Sequence, residues 1–99
     1  MSTEIETKQK TKIDVEPPSP WKVIVLNDDH TPMEFVIKLL TGIFRHDQKS
    51  AQDLTLEIHN TGSAVVGVYS FEIAEQKGLE ATQLSRTNGF PLQIQVERE

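Results

Sequence analysis

The feature that most constrains this chain is an apolar, β-branched run, Val23 to Leu26, that stops abruptly at Asn27, Asp28 and Asp29 and is followed at once by Thr31-Pro32-Met33-Glu34. The run has the composition of a strand. Thr31 suits an N-cap, Pro32 suits the first helical position because its missing N–H would have no intrahelical partner there, and Glu34 completes a Thr-x-x-Glu capping box. A strand is therefore expected to pass into a helix through a short turn that carries a cluster of oxygen acceptors. Asn and Asp are common in turns because they bond their own backbone, so the cluster reads either as a plain turn or as acceptors aimed at a cation. Calcium fits poorly, since neither the Asp-x-Asp-x-Asp-Gly spacing nor a closing Glu is present. Magnesium or an organic ammonium stays open.

A chain of 99 residues suits one small domain with a single core. Its net charge of −5 argues against binding a phosphate backbone, so nucleic acid is not an expected partner. There is no cysteine for a disulfide framework or a thiolate zinc site, and no apolar stretch approaches a membrane span, so neither a Cys-rich zinc site, a cofactor nor a membrane is expected. The opening Met1-Ser2-Thr3-Glu4-Ile5-Glu6-Thr7 lacks the pattern of a signal peptide, which makes a cytoplasmic location the expectation.

Residues 1–20 mix Lys, Glu, Thr and Gln without periodicity and finish in Pro17-Pro18-Ser19-Pro20, a composition that reads as a flexible extension. The core domain is then 21–99. Its first strand, Trp21 to Leu26, is nearly continuously apolar, which predicts a central strand covered on both faces. The first helix is predicted over Pro32–Phe44, with Phe35, Val36, Leu39, Leu40 and Ile43 on its apolar face. Asp47 starts a second helix carrying Ala51, Leu54 and Ile58, which Asn60-Thr61-Gly62 ends. A strand over Ala64–Tyr69 follows. A third helix is predicted over Phe71–Thr87, capped by Ser70, with Ile73, Ala74, Ala81 and Leu84 inward and with Gly78 costing about 1 kcal/mol relative to Ala. The last strand alternates, Leu92, Ile94 and Val96 against Gln93, Gln95 and Glu97. The class is α+β, a three-stranded antiparallel sheet with three helices on one side in the order strand, helix, helix, strand, helix, strand.

Read together, Asn27-Asp28-Asp29-x-Thr31-Pro32-Met33-Glu34-Phe35-Val36, Ile58-His59, Gly67-Val68-Tyr69, Glu72-x-Ala74-Glu75-x-Lys77 and Pro91-Leu92 resemble the ClpS family. These are adaptors that recognise destabilising N-terminal residues and hand the proteins bearing them to a Clp-type AAA+ unfoldase and its protease. The resemblance runs from about Trp21 to Glu99 and implies a fold similar to the C-terminal domain of the ribosomal stalk protein. It implies that Asn27, Asp28 and His59 hold the ligand's α-amino group, with Asp29 supporting the acidic turn, and an ammonium with three donors does call for converging acceptors. It further implies a pocket for the first side chain from Thr31, Met33, Val36, Thr55, Ile58 and Leu92, and a contact with the N-terminal domain of the unfoldase through Glu72 and Lys77. Cargo beginning with Leu, Phe, Tyr or Trp, a monomeric state and no catalysis are implied with it, and the extension would engage the unfoldase during delivery.

The family's best-known branch usually has methionine where this chain has Thr55, which bears on discrimination at the pocket rim. His30 and His46 lack comparable support and are given no function; a cap or the surface suits His46. Two other readings compete. A magnesium-binding receiver domain would also end an apolar strand in paired aspartates, but it needs five strand–helix units and a further aspartate. A purely structural interaction domain of the stalk type would leave Asn27, Asp28, Asp29 and His59 without a task.

Overall fold

In the computed structural model, which describes residues 19–99, the apolar run becomes the middle strand, β1 (Trp21–Leu26), of a three-stranded antiparallel sheet. The remaining elements are α1 (Met33–Gly42), α2 (Gln48–Thr61), β2 (Ser63–Tyr69), α3 (Phe71–Thr87) and β3 (Gln93–Arg98). The sheet order is β2-β1-β3, with β1 antiparallel to both neighbours. The predicted α+β order and element types hold throughout. Of the predicted extension over 1–20, residues 1–18 lie outside the described residues.

The helices cover one face of the sheet, and the burial of β1 alternates accordingly. Val23 and Val25 are wholly buried, whereas Lys22, Ile24 and Leu26 are only half-buried. The expectation that both faces of β1 are covered is thus corrected: Val65 and Val68 of β2, paired with Ile24 and Lys22, are exposed on the open side, and so are Gln93, Gln95 and Glu97 of β3. A continuous apolar run looked two-sided because Ile24 and Leu26 hold positions that an antiparallel sheet can leave to solvent. Against the covered face pack Val36, Leu39, Leu40 and Phe44 from the α1 region, Ala51 and Ile58 from α2, and Ala74 and Ala81 from α3. Each fully buried Val or Leu contributes roughly 1.5–3 kcal/mol to that core.

β2 carries a bulge. Val23 pairs with Gly67 and the next residue, Ile24, with Val65, so Val66 has no partner in the ladder. Its carbonyl is satisfied from outside the sheet, by His46, whose Nε2 lies 2.6 Å from it and therefore carries the hydrogen. His46 is held in turn by its own N–H, which donates to the Leu40 carbonyl at 3.1 Å. The imidazole thus pins the α1–α2 connection to the sheet, a role beyond the cap or surface position expected of it. Next to the bulge, Gly67 leaves room for the Tyr69 ring, which a Cβ at 67 would meet. Burial pushes the Tyr69 phenol up from its ordinary pKa.

Two details of α3 differ from expectation. Its inward stripe is Ala74, Gly78, Ala81 and Ser85, while Ile73 and Leu84 are exposed. The small residues permit close approach of α3 to β3, and an ideal Cβ on Gly78 would lie 2.9 Å from Cγ2 of Val96. Gly78 is therefore a packing requirement, where the sequence predicted only a weak helix position. The buried Ser85 hydroxyl is satisfied by donating to the Ala81 carbonyl at 2.8 Å. Ser70 stands at the N-cap as expected but makes no side-chain cap bond.

Gly78→Ala should consequently destabilise the domain in spite of the better helix propensity. Overpacking typically costs about 1–3 kcal/mol and the propensity gain is about 1 kcal/mol, so urea unfolding should show a net loss of roughly 1 kcal/mol. Combining it with Val96→Ala should give less than the sum of the two single losses, and strict additivity would contradict the contact.

Candidate functional site

The end of β1 and the end of α2 are tied together by backbone. Gly62, at the C-cap of α2, adopts the left-handed conformation at φ 98°, and its N–H donates to the Ile58 carbonyl at 2.9 Å. A glycine takes this conformation without a Cβ penalty. The Gly62 carbonyl then accepts the N–H of Asn27 at 2.9 Å. As a result the Asn27-Asp28-Asp29 turn and His59, in the last turn of α2, line one cleft although 30 residues separate them in the chain.

The Asp28 carboxylate organises its own turn. One oxygen accepts the N–H groups of His30 and Thr31 at 2.7 and 2.8 Å, and the other accepts the Thr31 hydroxyl at 2.7 Å. Burial raises the Asp28 pKa, but the Thr31 hydroxyl, the two backbone N–H groups and the charge of nearby His30 outweigh it and hold the carboxyl below its ordinary range. With about four lone-pair sites on a carboxylate and three engaged, one acceptor direction is left for a ligand. The same bonds correct the predicted capping box. Thr31 serves Asp28 instead of the helix, Pro32 occupies the N-cap with no side-chain cap bond, and α1 begins at Met33. Because Asp28 accepts three donors it is already the stronger partner, and Glu34 is left exposed in the first turn.

The cleft has a volume of about 220 Å³. Asn27, Asp28, Asp29 and His59 supply its polar part, and Thr31, Met33, Val36, Thr55 and Ile58 supply the rest. Val36, Thr55 and Ile58 are almost wholly buried, while Met33 is 39% exposed and stands at the rim. The Thr55 hydroxyl donates to the Ala51 carbonyl one turn back at 2.7 Å, which uses its one donor hydrogen. The volume is below the roughly 300–1,000 Å³ of sites for drug-sized molecules and suits a single side chain. Chemically the cleft has acceptors and a carboxylate at one end and hydrocarbon at the other, which matches a primary ammonium with an apolar group on the adjacent carbon. Among the described residues no group of three His, Cys, Asp or Glu side chains is placed to hold a metal ion, and no helix is long and apolar enough to cross a membrane.

Leu92 is not part of this cavity. It is buried in the hydrophobic core just before β3, so its assignment to the pocket wall is corrected. The two α3 residues assigned to the unfoldase are placed differently from each other. Glu72 is exposed in the first turn, whereas the Lys77 amine donates to the Ile43 carbonyl at 2.7 Å and lies 5.4 Å from the centre of the Tyr69 ring. Lys77 is thus committed within the domain, at the C-cap of α1. His30 is exposed, and its N–H serves Asp28.

Comparison with known proteins bears on this geometry. Residues 16–95 match the family of the ATP-dependent Clp protease adaptor protein ClpS. Similar proteins include the ATP-dependent Clp protease adapter protein ClpS of Shewanella denitrificans, 45% identical over 92 residues that cover 93% of this chain and 90% of the relative. ClpS 1 of Rhodopseudomonas palustris is 45% identical over 94 residues, which cover 95% of this chain and 91% of that one. Among solved structures, Agrobacterium tumefaciens ClpS2 bound to L-phenylalaninamide superposes with a TM-score of 0.81 at 43% identity, covering 84% of this chain and 100% of the other.

The depressed Asp28 pKa carries a stability consequence with a definite sign. A carboxylate whose folded pKa lies below its unfolded value, about 3.9, stabilises the fold above that value and loses the contribution as pH falls through the folded pKa. Thr31→Val removes one donor and should raise the Asp28 pKa seen by carboxyl ¹³C NMR. Allowing for solvent screening, it should reduce stability at pH 7 by about 1 kcal/mol, with the gap to wild type narrowing in acid as pH falls through the lowered folded pKa. An equal gap at pH 7 and in acid would show that the hydroxyl does not act through the carboxylate.

Proposed function

The chain belongs to the ClpS family of ATP-dependent Clp protease adaptors, and on that premise we propose that its cleft holds the free α-amino terminus and bulky apolar first side chain of a protein to be degraded. The domain delivers this cargo to a Clp-type AAA+ unfoldase. The observation that carries the reading is the convergence of Asn27, Asp28 and His59 on the cavity that Met33, Val36, Thr55 and Ile58 also line. L-phenylalaninamide, bound by the Agrobacterium relative, joins a free amino group and a benzyl side chain in one molecule.

An α-amino group has a pKa of about 7.7–8.0 and is mostly charged at neutral pH, so the pre-oriented Asp28 carboxylate gives it a charge-assisted bond. Asn27 and a neutral His59 supply the other acceptors. Asp29 adds negative potential at the rim. Burying a Leu, Phe, Tyr or Trp side chain on the apolar part contributes roughly 1.5–3 kcal/mol. Together the two halves select a terminus over an internal residue, which offers no ammonium, and a large apolar first residue over a small or polar one. The role asks for no catalytic group and no cofactor.

Glu72, exposed on α3, offers a contact for the N-terminal domain of the unfoldase, and Lys77 would support that surface through its anchorage to α1. Residues 1–20 take the part of an extension that engages the unfoldase. The adaptor works as a monomer in the cytoplasm.

Acetylating a peptide that begins with Phe removes its charge and all but one of its amine donors, so calorimetry should show affinity falling more than tenfold, in line with about 2–5 kcal/mol for a charged bond set. Equal binding of both peptides would overturn the reading. The first-residue range is tested at Thr55, whose hydroxyl hydrogen is already engaged within α2. Thr55→Met adds volume to a small cavity and should weaken peptides beginning with Ile or Val, which branch at the β-carbon, more than those beginning with Leu or Phe. A uniform change across the four would show that Thr55 is no gate.

A further inference from the structure

A second depression lies beside the cleft on the same seam between α1 and α2. It has a volume of about 260 Å³ and is lined by Met33, Ile37, Gln52, Thr55 and Leu56. Met33 and Thr55 line both cavities, so the two adjoin at these side chains. On α2 the cleft uses Thr55, Ile58 and His59, and the groove uses Gln52, Thr55 and Leu56, the same pattern moved three residues toward the helix N-terminus. That shift is about 4.5 Å of rise, to which the turn around the helix adds lateral displacement. Leu56 is 51% exposed and Met33 39%, and Gln52 and the buried Thr55 are the polar members. The lining is uncharged and mostly apolar, and no element among the described residues covers it.

From this geometry we infer that the groove is a subsite for the side chain of the third residue of the cargo, and that it takes an apolar one. The inference rests on the cleft being the site of the cargo's terminus. With the ammonium held at the His59 end of α2 and the first side chain filling the cleft near Thr55, a cargo backbone that runs along α2 toward the helix N-terminus passes Gln52 and Leu56. In an extended chain side chains alternate between faces, so the second residue points away from the adaptor and the third returns to it. Two residues of extended chain span roughly 6.6–6.8 Å, enough to cover the rise of about 4.5 Å between the two sets of α2 residues together with a sideways offset. Leu56 and Ile37 then close on the third side chain, and Met33, flexible and shared, packs against the first and third together. The adaptor would thereby read two apolar positions at a spacing of two, beginning from the free amine.

The test uses free-amine peptides beginning Phe-Ser-Leu, Phe-Leu-Ser and Phe-Ser-Ser, otherwise identical and polar, with acetylated twins, measured by fluorescence anisotropy on wild type and Leu56→Ala. Partial burial of one Leu should make Phe-Ser-Leu about three- to tenfold tighter than Phe-Ser-Ser, with no such gain for Phe-Leu-Ser. Leu56→Ala should bring Phe-Ser-Leu down to the level of Phe-Ser-Ser. Absence of the gain, an equal gain at the second position, or a gain that survives Leu56→Ala overturns the subsite, as does an equal loss for all peptides in the variant. Failure of the terminus reading looks different, because the free-amine peptides would then bind no better than their acetylated twins.

Discussion

The bond from the Asn27 N–H to the Gly62 carbonyl is the tie on which the rest of the site depends. It joins the edge of the β1–α1 turn to the left-handed cap of α2, two places where the chain leaves regular structure and orphan backbone groups must find partners. Satisfying those groups against each other brings the acidic turn and His59 to a common cleft. Gly62 can fill this position because its φ of 98° is open to glycine and strained for a side chain. The acidic turn and His59 are therefore brought together by backbone, and within the turn the Asp28 side chain is held by its own bonds.

Asp28 extends the same economy to electrostatics. Three donors from its own turn hold the carboxylate and keep it ionised, so the negative charge does not rest on any ligand for its stability. One acceptor direction left over is what a fourth donor would use. The pairing is local, so the carboxylate is satisfied by its own turn. The apolar half is handled likewise. Val36 and Ile58 belong to the core as well as to the cleft wall, so the floor of the cleft is as rigid as the interior behind it.

Much of this was legible in the chain. Element order followed from periodicity and from strong punctuation such as Asp47, whose side chain does cap α2 by accepting the Ser50 N–H at 2.7 Å, and Gly62. The acidic turn and His59 were legible through the family resemblance, since no spacing rule joins positions 27 and 59. What escaped has a common cause, which is competition decided in three dimensions. Thr31 had a sound capping signature, yet the Asp28 carboxylate three residues earlier took its hydroxyl. Gly78 read as a weak helix position because the nearness of Val96 is a property of packing. Leu92 and a pocket wall are indistinguishable in sequence, both being large and apolar. The task of His46 depended on a bulge at Val66, and a one-residue irregularity leaves no mark on an apolar run.

The arrangement of α1 also constrains how an adaptor of this kind can pass cargo on. Met33 and Val36, in its first turns, face the cleft, while Lys77 of α3 is bonded at its other end, to the carbonyl of Ile43. Ten residues of helix separate Met33 from Ile43, about 15 Å. A ligand can bias α3 only through a difference in its affinity for two arrangements of the structure between them. That structure is a close-packed core in which α1 and α2 lie on each other and α3 packs chiefly on β3, with His46 and Lys77 locking the α1–α2 connection to β2 and α3. The structure presents a single packing of that core. Under the proposed function, delivery therefore works by proximity: an adaptor held at the unfoldase through one surface presents cargo from another and raises its effective concentration there, with no signal having to cross the domain.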